Sequence, residues 1–274
     1  MGYQPERAAL LEIVVRAARE AAAVIRAAAP RVRSIDWHAK STMDFVSEVD
    51  LAAEERILAI AAAELPEAVI LAEETAATTS PERVAAGLAL VADPLDGTTN
   101  FLHGFPQYAV SIAVLEKGEP VAAVVLDAAH GELFTAIAGG GAFVDSVPIR
   151  VSTISDPRRA LIGTGFPFKD EADIPPYQAQ MSAVMPRVSG VRRPGSAALD
   201  LASVASGRFD AFWENLLSPW DFAAGMLLVR EAGGLVTTLD GSHLRPIAPS
   251  AVLAGSPPMH AWLRATLAHE SDER

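Results

Sequence analysis

The chain has no cysteine among its 274 residues. That excludes disulfides, thiolate metal sites and a cysteine nucleophile, and it suits a reducing compartment. No run of about 20 apolar residues occurs, so no membrane-spanning helix is expected. The first residues do not form a secretory signal, because Arg7, Glu12, Arg16, Arg19 and Glu20 interrupt the apolar positions. The expected location is the cytoplasm. Positive charge is scarce, with 22 Lys and Arg against 34 Asp and Glu, a formal net charge of −12. With no long basic run, a direct nucleic-acid-binding surface is not expected. Internal repeats and low-complexity segments are also missing. Apolar residues are plentiful at 50%, enough for one large core or two intimately packed units.

Periodicity organises the chain into alternating helices and strands. Leu10, Val14, Ala17, Ala21, Val24 and Ala28 recur at helical spacing and predict a helix over residues 6–29, stopped by Pro30. Residues 31–48 are mixed and polar. A second helix is predicted from about Asp50 to Leu65, with Asp50 placed as its cap. Val69–Leu71 reads as a short strand ending in Ala72-Glu73-Glu74. Three strand-like runs, 108–116, 120–126 and 132–138, read as antiparallel hairpins. Gly139-Gly140-Gly141 lacks the Lys-Ser/Thr of a phosphate loop and is expected to be a turn. Ser152–Pro157 reads as a linker into a second half of alternating α and β elements. Its helices are predicted over 176–185, 196–206, about 219–232 and 257–269.

The chemistry concentrates in Asp93-Pro94-Leu95-Asp96-Gly97-Thr98-Thr99-Asn100-Phe101. The apolar run Leu88–Ala92 places Asp93 at the carboxyl end of a buried strand, and Pro94 is expected to turn the chain there. Gly97 permits close backbone approach, and Thr98-Thr99-Asn100 can open a helix with free N–H groups. Paired carboxylates suit a hard cation such as Mg²⁺, and a helix N-terminus suits phosphate. An Asp-Pro turn followed by an Asp-Gly turn would account for the dipeptides alone. Capping equally accounts for Asp50, a solvated surface pair for Glu73-Glu74, and dipole stabilisation for Asp221 in the first turn after Ser218-Pro219.

The nine residues together resemble the signature of the inositol monophosphatase family of metal-dependent phosphatases. Lys40–Asp50, Ala72-Glu73-Glu74, Thr164–Lys169, Arg192–Leu201, Glu214 and Trp220–Gly225 are similar to further family motifs in the same order. The combination looks most like the bacterial inositol-1-monophosphatase branch. Ala72 departs from the family's usual Gly. The resemblance implies an α/β (α+β) fold, a layered αβαβα sandwich. Its halves would be an N-terminal α+β half over residues 1–151 and a C-terminal α/β half over 152–274, with the site between them.

It further implies two to three Mg²⁺ ions, with Mn²⁺ as a substitute, held by Glu73, Asp93, the carbonyl of Leu95, Asp96 and Asp221. Thr98, held by Asp50, would orient the attacking water, with Glu73 beside it. The amides of Gly97 and Thr98 would hold phosphate, and Asp96, Ala197, Glu214 and Asp221 would contact substrate hydroxyls. The implied partner is a small phosphorylated metabolite, with no membrane and no nucleic acid, and the implied assembly is a homodimer. Thr99-Asn100-Phe101 favours inositol phosphate over histidinol phosphate, fructose bisphosphate, NADP or nucleotide 3′-phosphate. Some bacterial relatives also act with the transcription machinery, which leaves an interaction role open beside catalysis.

Overall fold

The computed structural model describes residues 4–35, 37–41, 44–167 and 171–268. In the first half, helix α1 (Gln4–Ala28) precedes a hairpin of β1 (Trp37–Ser41) and β2 (Asp44–Ser47), then α2 (Glu48–Glu64), β3 (Val69–Ala72) and α3 (Pro81–Ala86). Next come β4 (Leu88–Asp96), α4 (Thr98–Leu102), β5 (Ala109–Glu116), β6 (Glu119–Asp127), β7 (Leu133–Ile137), β8 (Gly141–Val144) and β9 (Val147–Pro148). The second half holds β10 (Leu161–Thr164), α5 (Ile174–Val184), β11 (Gly190–Arg192), α6 (Ala197–Ala205), β12 (Ala211–Leu217) and α7 (Pro219–Glu231). It ends with β13 (Leu235–Thr237), β14 (Ser250–Gly255) and α8 (Pro257–Ala268).

Strands β3 to β9 form a seven-stranded sheet in sequence order, and a second sheet runs β11-β10-β12-β14-β13. The central strands of the larger sheet read as nearly continuous apolar runs because both faces are covered. Along β4, Ala89 and Val91 face one core, whereas Leu90 and Ala92 face another built with α1 and α2. In β5, Ala113 and Leu115 alternate with Ile112 and Val114 in the same way. Helices α6 and α7 lie between the two sheets, and their core includes Val91 and Val125 of the larger sheet together with Phe212 and Ala254 of the smaller. Being covered on both sides, α7 is buried almost all round, from Phe222 through Val229. Helices α5 and α8 cover the far face through Tyr177, Val184, Met259 and Leu263. The layers are therefore helix, sheet, helix, sheet, helix, as expected.

Three local expectations need correction. The polar stretch before α2 contains the β1–β2 hairpin, whose antiparallel ladder pairs Trp37 with Ser47. Helix α2 is capped by Ser47, not Asp50. Asp50 sits three residues into a capping box and accepts the Ser47 N–H at 2.9 Å. Strand β4 does not end at Asp93 but runs on to Asp96. The smaller sheet is mixed, since β14 runs antiparallel to both β12 and β13. Gly139-Gly140-Gly141 is a turn that takes a carboxylate of the chain itself, because the amides of Gly139 and Gly141 each donate to Glu231 at 2.8 Å. Thr42, Met43, Phe168 and Lys169 of the family-like stretches lie outside the described residues. No helix among the described residues is long and apolar enough to cross a membrane.

Candidate active site

The site begins with a flaw in a ladder. Strands β4 and β5 pair Asp93 with Ser111 and Asp96 with Ala109, so Pro94 and Leu95 together oppose Val110. This is a bulge of one extra residue. Side chains alternate along a strand, so two residues three apart would ordinarily point to opposite faces. The extra residue restores the parity. Leu95 goes into the core beneath α1 and α2, and Asp93 and Asp96 both turn toward α7. Proline is tolerated here because a bulge needs no N–H from it.

Asp221 meets them from the first turn of α7, where its carboxylate accepts the Ser218 N–H at 2.7 Å. Carboxylate oxygens of Asp93, Asp96 and Asp221 lie within 4.8 Å of one another. Asp93 is 2% exposed and accepts the Leu95 N–H at 2.8 Å. Burial, then the charges of Glu73, Asp96 and Asp221, push its pKa well above the usual carboxylate range. Burial, Asp96 and Glu73 do the same to Asp221. Burial lifts Asp96 to about 6 against the hydrogen bonds of Ser196 and Ala198, which favour its charged form. Those donors are the Ser196 hydroxyl at 2.5 Å and the Ala198 amide at 2.8 Å, both at the start of α6. Glu73 follows β3 and ties to β4 through its N–H on the Ala92 carbonyl at 3.2 Å. It stands outside the tight trio but close enough for its charge to act on all three.

Oxygen donors that repel one another in a buried setting, with no Lys or Arg side chain paired to the trio among the described residues, suit a divalent cation such as Mg²⁺ or Mn²⁺.

Next to the trio, the Thr98 hydroxyl lies 2.8 Å from Asp50 Oδ1 and 3.0 Å from the Leu95 carbonyl. Gly97 has φ +92°, and a Cβ there would sit 2.8 Å from the Gln107 carbonyl, so only glycine fits this corner. The hydrogen-bond ladder of α4 starts with the Phe101 N–H on the Gly97 carbonyl at 3.0 Å, which leaves the amides of residues 98–100 ahead of it.

A cleft of about 270 Å³ opens from the trio toward the second half. Asp96, Asp221, Ala197 and Glu214 line it, with Arg193 and Asp200. Glu214 lies so close over Gly165 that a Cβ there would fall 2.0 Å from its carboxyl carbon. Asp200 is 2% exposed, and among the described residues its Oδ1 has no hydrogen-bond partner. Burial and the charges of Glu214 and Asp96 push its pKa well up, and Arg193 draws it partly back.

The chain matches the Inositol monophosphatase family over residues 6–273. The chain belongs to the inositol monophosphatase family. Among curated relatives, the Nus factor SuhB of Pseudomonas aeruginosa is 46% identical over 236 residues, 85% of this chain and 87% of that protein. The inositol-1-monophosphatase of Mesorhizobium japonicum is 43% identical over 237 residues, 86% and 88% of the two chains. The crystal structure of the extragenic suppressor protein suhB from Bartonella henselae superposes with a TM-score of 0.86 at 37% identity, covering 94% of this chain and 98% of that one.

Within this family member, three supporting residues escape sequence reasoning. Glu54 holds the turn after Glu73 through backbone amides. The Asn100 amide nitrogen reaches the carbonyls of Gln107, Pro194 and Gly195 at 2.8–3.2 Å, pinning the second half to the motif. Gly165 makes room for Glu214. Each acts on backbone or through missing bulk, and neither leaves a side-chain pattern. The nearest signal for Asn100 was its place inside the motif.

Proposed function

We propose that the protein is a Mg²⁺-dependent phosphate monoester hydrolase acting on inositol 1-phosphate. The observation that carries this reading is the convergence of Asp93, Asp96 and Asp221 within 4.8 Å, beside a Thr98 hydroxyl held by Asp50. Glu73, Asp93, the Leu95 carbonyl, Asp96 and Asp221 are assigned to hold the cations, two or three in number. Bound there, they would neutralise the phosphate dianion, acidify water and stabilise the leaving alkoxide.

The chain's own groups supply positioning. Asp50 accepts the Thr98 hydroxyl proton, so the threonine oxygen is free to accept from the attacking water and aim it. Glu73 borders the same place. The amides of Gly97 and Thr98 donate to phosphate oxygens. Asp96, Ala197, Glu214 and Asp221 line the cleft where a polyol would lie, and carboxylates paired with hydroxyls favour a polyhydroxylated leaving group. The small polar cleft suits a metabolite and not a polymer. The name of the Mesorhizobium relative supports the substrate.

The test is Mg²⁺-dependent phosphate release over a panel of phosphorylated metabolites, with Asp93→Asn as comparison. Inositol 1-phosphate is expected to lead the panel, and the variant to fold yet lose turnover. Near-normal turnover in Asp93→Asn would remove that residue from the mechanism. A second reading, a role in transcription, is favoured by relatives named as Nus factors. RNA polymerase capture that Asp96→Asn leaves unchanged would support it.

A further inference from the structure

We infer that Glu54 is a positioning residue for cation binding: from α2 it fixes the turn that carries Glu73. The inference rests on the proposed reading of Glu73 as a ligand. Glu54 is a charged residue inside a helix, yet it is 1% exposed. Both of its oxygens are used. Oε2 accepts the Glu74 N–H at 2.8 Å, and Oε1 accepts the Thr75 N–H at 2.9 Å and the Thr75 hydroxyl. The backbone bonds that otherwise hold this segment are longer: Glu73 N–H to Ala92 at 3.2 Å, Ala76 N–H to Ala72 at 3.3 Å and Thr79 N–H to Ala76 at 3.4 Å. Hydrogen bonds to an ionised acceptor are the shorter and stronger kind. Glu54 therefore anchors residues 74 and 75 through three hydrogen bonds.

The helix that carries it does a second task. Asp50 lies four residues earlier on the same face of α2, and its other end of business is the Thr98 hydroxyl at 2.8 Å. One rigid helix thus fixes both Thr98 and the turn after Glu73. Asp93 itself is set by the β4 bulge. Loss of Glu54 would release Glu73 from that frame while the trio of Asp93, Asp96 and Asp221 stays in place. A residue that orients a ligand in this way commonly changes metal affinity by about 10–100-fold.

Glu54→Gln keeps the volume but turns an NH₂ group toward one of the facing N–H donors. Mn²⁺ titration followed by electron paramagnetic resonance reads binding without turnover. The half-saturating Mn²⁺ concentration is expected to rise about tenfold, with a smaller effect on kcat at saturating metal. Thr75→Val removes one donor of the three and should raise it about two- to threefold, which decides the matter if the glutamine variant does not fold. Mn²⁺ affinity within twofold of wild type in a folded Glu54→Gln protein overturns the inference, as does unchanged affinity in Thr75→Val. Glu73→Gln separates the two levels. If it binds Mn²⁺ as tightly as wild type, the ligand reading of Glu73 fails and this inference falls with it. If it weakens binding while Glu54→Gln does not, only the role of Glu54 is lost.

Discussion

Asp96→Asn should make the metal-free protein more stable, and only above the pH at which Asp96 ionises. The folded-state pKa of Asp96 stands at about 6 against an ordinary value of 3.8. A raised acid pKa means that the folded protein holds the proton more tightly than the unfolded chain. Stability from this group is therefore fully present below about pH 4 and is lost as pH rises through about 6. A difference of about two pH units corresponds to ~3 kcal/mol at 1.36 kcal/mol per unit. Asp96 keeps partial contact with solvent at the cleft floor, which screens the charge and lowers the figure to ~2 kcal/mol.

Asparagine has no charge to bury. In chelator, wild type and variant should melt together near pH 4, and the variant should melt roughly 5 °C higher at pH 8. Adding ~10 mM Mg²⁺ at pH 8 should close most of that gap. For a dissociation constant of ~1 mM the wild type gains about 1.4 kcal/mol, whereas the variant has lost a ligand. Calorimetric melts of both proteins at both pH values, with and without Mg²⁺, read these differences. Equal melting temperatures at pH 8 in chelator, or an equal Mg²⁺ shift in the two proteins, would refute the view of Asp96 as a strained carboxylate waiting for a cation.

Two glycines offer contrasting tests. Gly165→Ala would place its Cβ about where the Glu214 carboxyl group now lies. That group is the far end of a flexible side chain, so it should swing away at modest cost in melting temperature, while KM for the polyol phosphate rises about tenfold through a lost charged hydrogen bond. An unchanged KM would remove Glu214 from substrate contact. Gly225→Ala would instead meet the Leu201 side chain, with Cβ 2.4 Å from Cβ, where α6 and α7 cross. Overpacking costs about 1–3 kcal/mol against a gain of about 1 from helix propensity. The melting temperature should fall by several degrees, and a rise would contradict the close approach of the two helices.

Much of the site was legible because its chemistry is carried by charged side chains in an unusual order. Asp93, Asp96, Thr98 and Asp221 could be singled out before their geometry was known. What brings Asp93 and Asp96 together was not legible. Pro94 reads as a strand breaker, and a bulge that uses proline looks the same in sequence as a turn that uses it. Ser47-Glu48-Val49-Asp50 shows a similar ambiguity, since a capping box offers two residues suited to the cap. Glu54 was invisible for another reason. Glutamate in a helix usually faces water, and its partners are backbone amides 20 and 21 residues away. The β1–β2 hairpin lacks the apolar alternation on which strand assignment depends.

The helices α6 and α7, enclosed between the two sheets, also limit how selectivity can arise. Enzymes whose substrate site lies between separately packed lobes can discriminate by closing on the right molecule. Here the two sides of the cleft share one interior among the described residues, so parting them would open that interior to water. Under the proposed function, discrimination among phosphate esters would then be static, a matter of which hydroxyls meet Glu214 and which do not. A change of substrate on this framework would then take the exchange of a few rim side chains, with no redesign of a moving part.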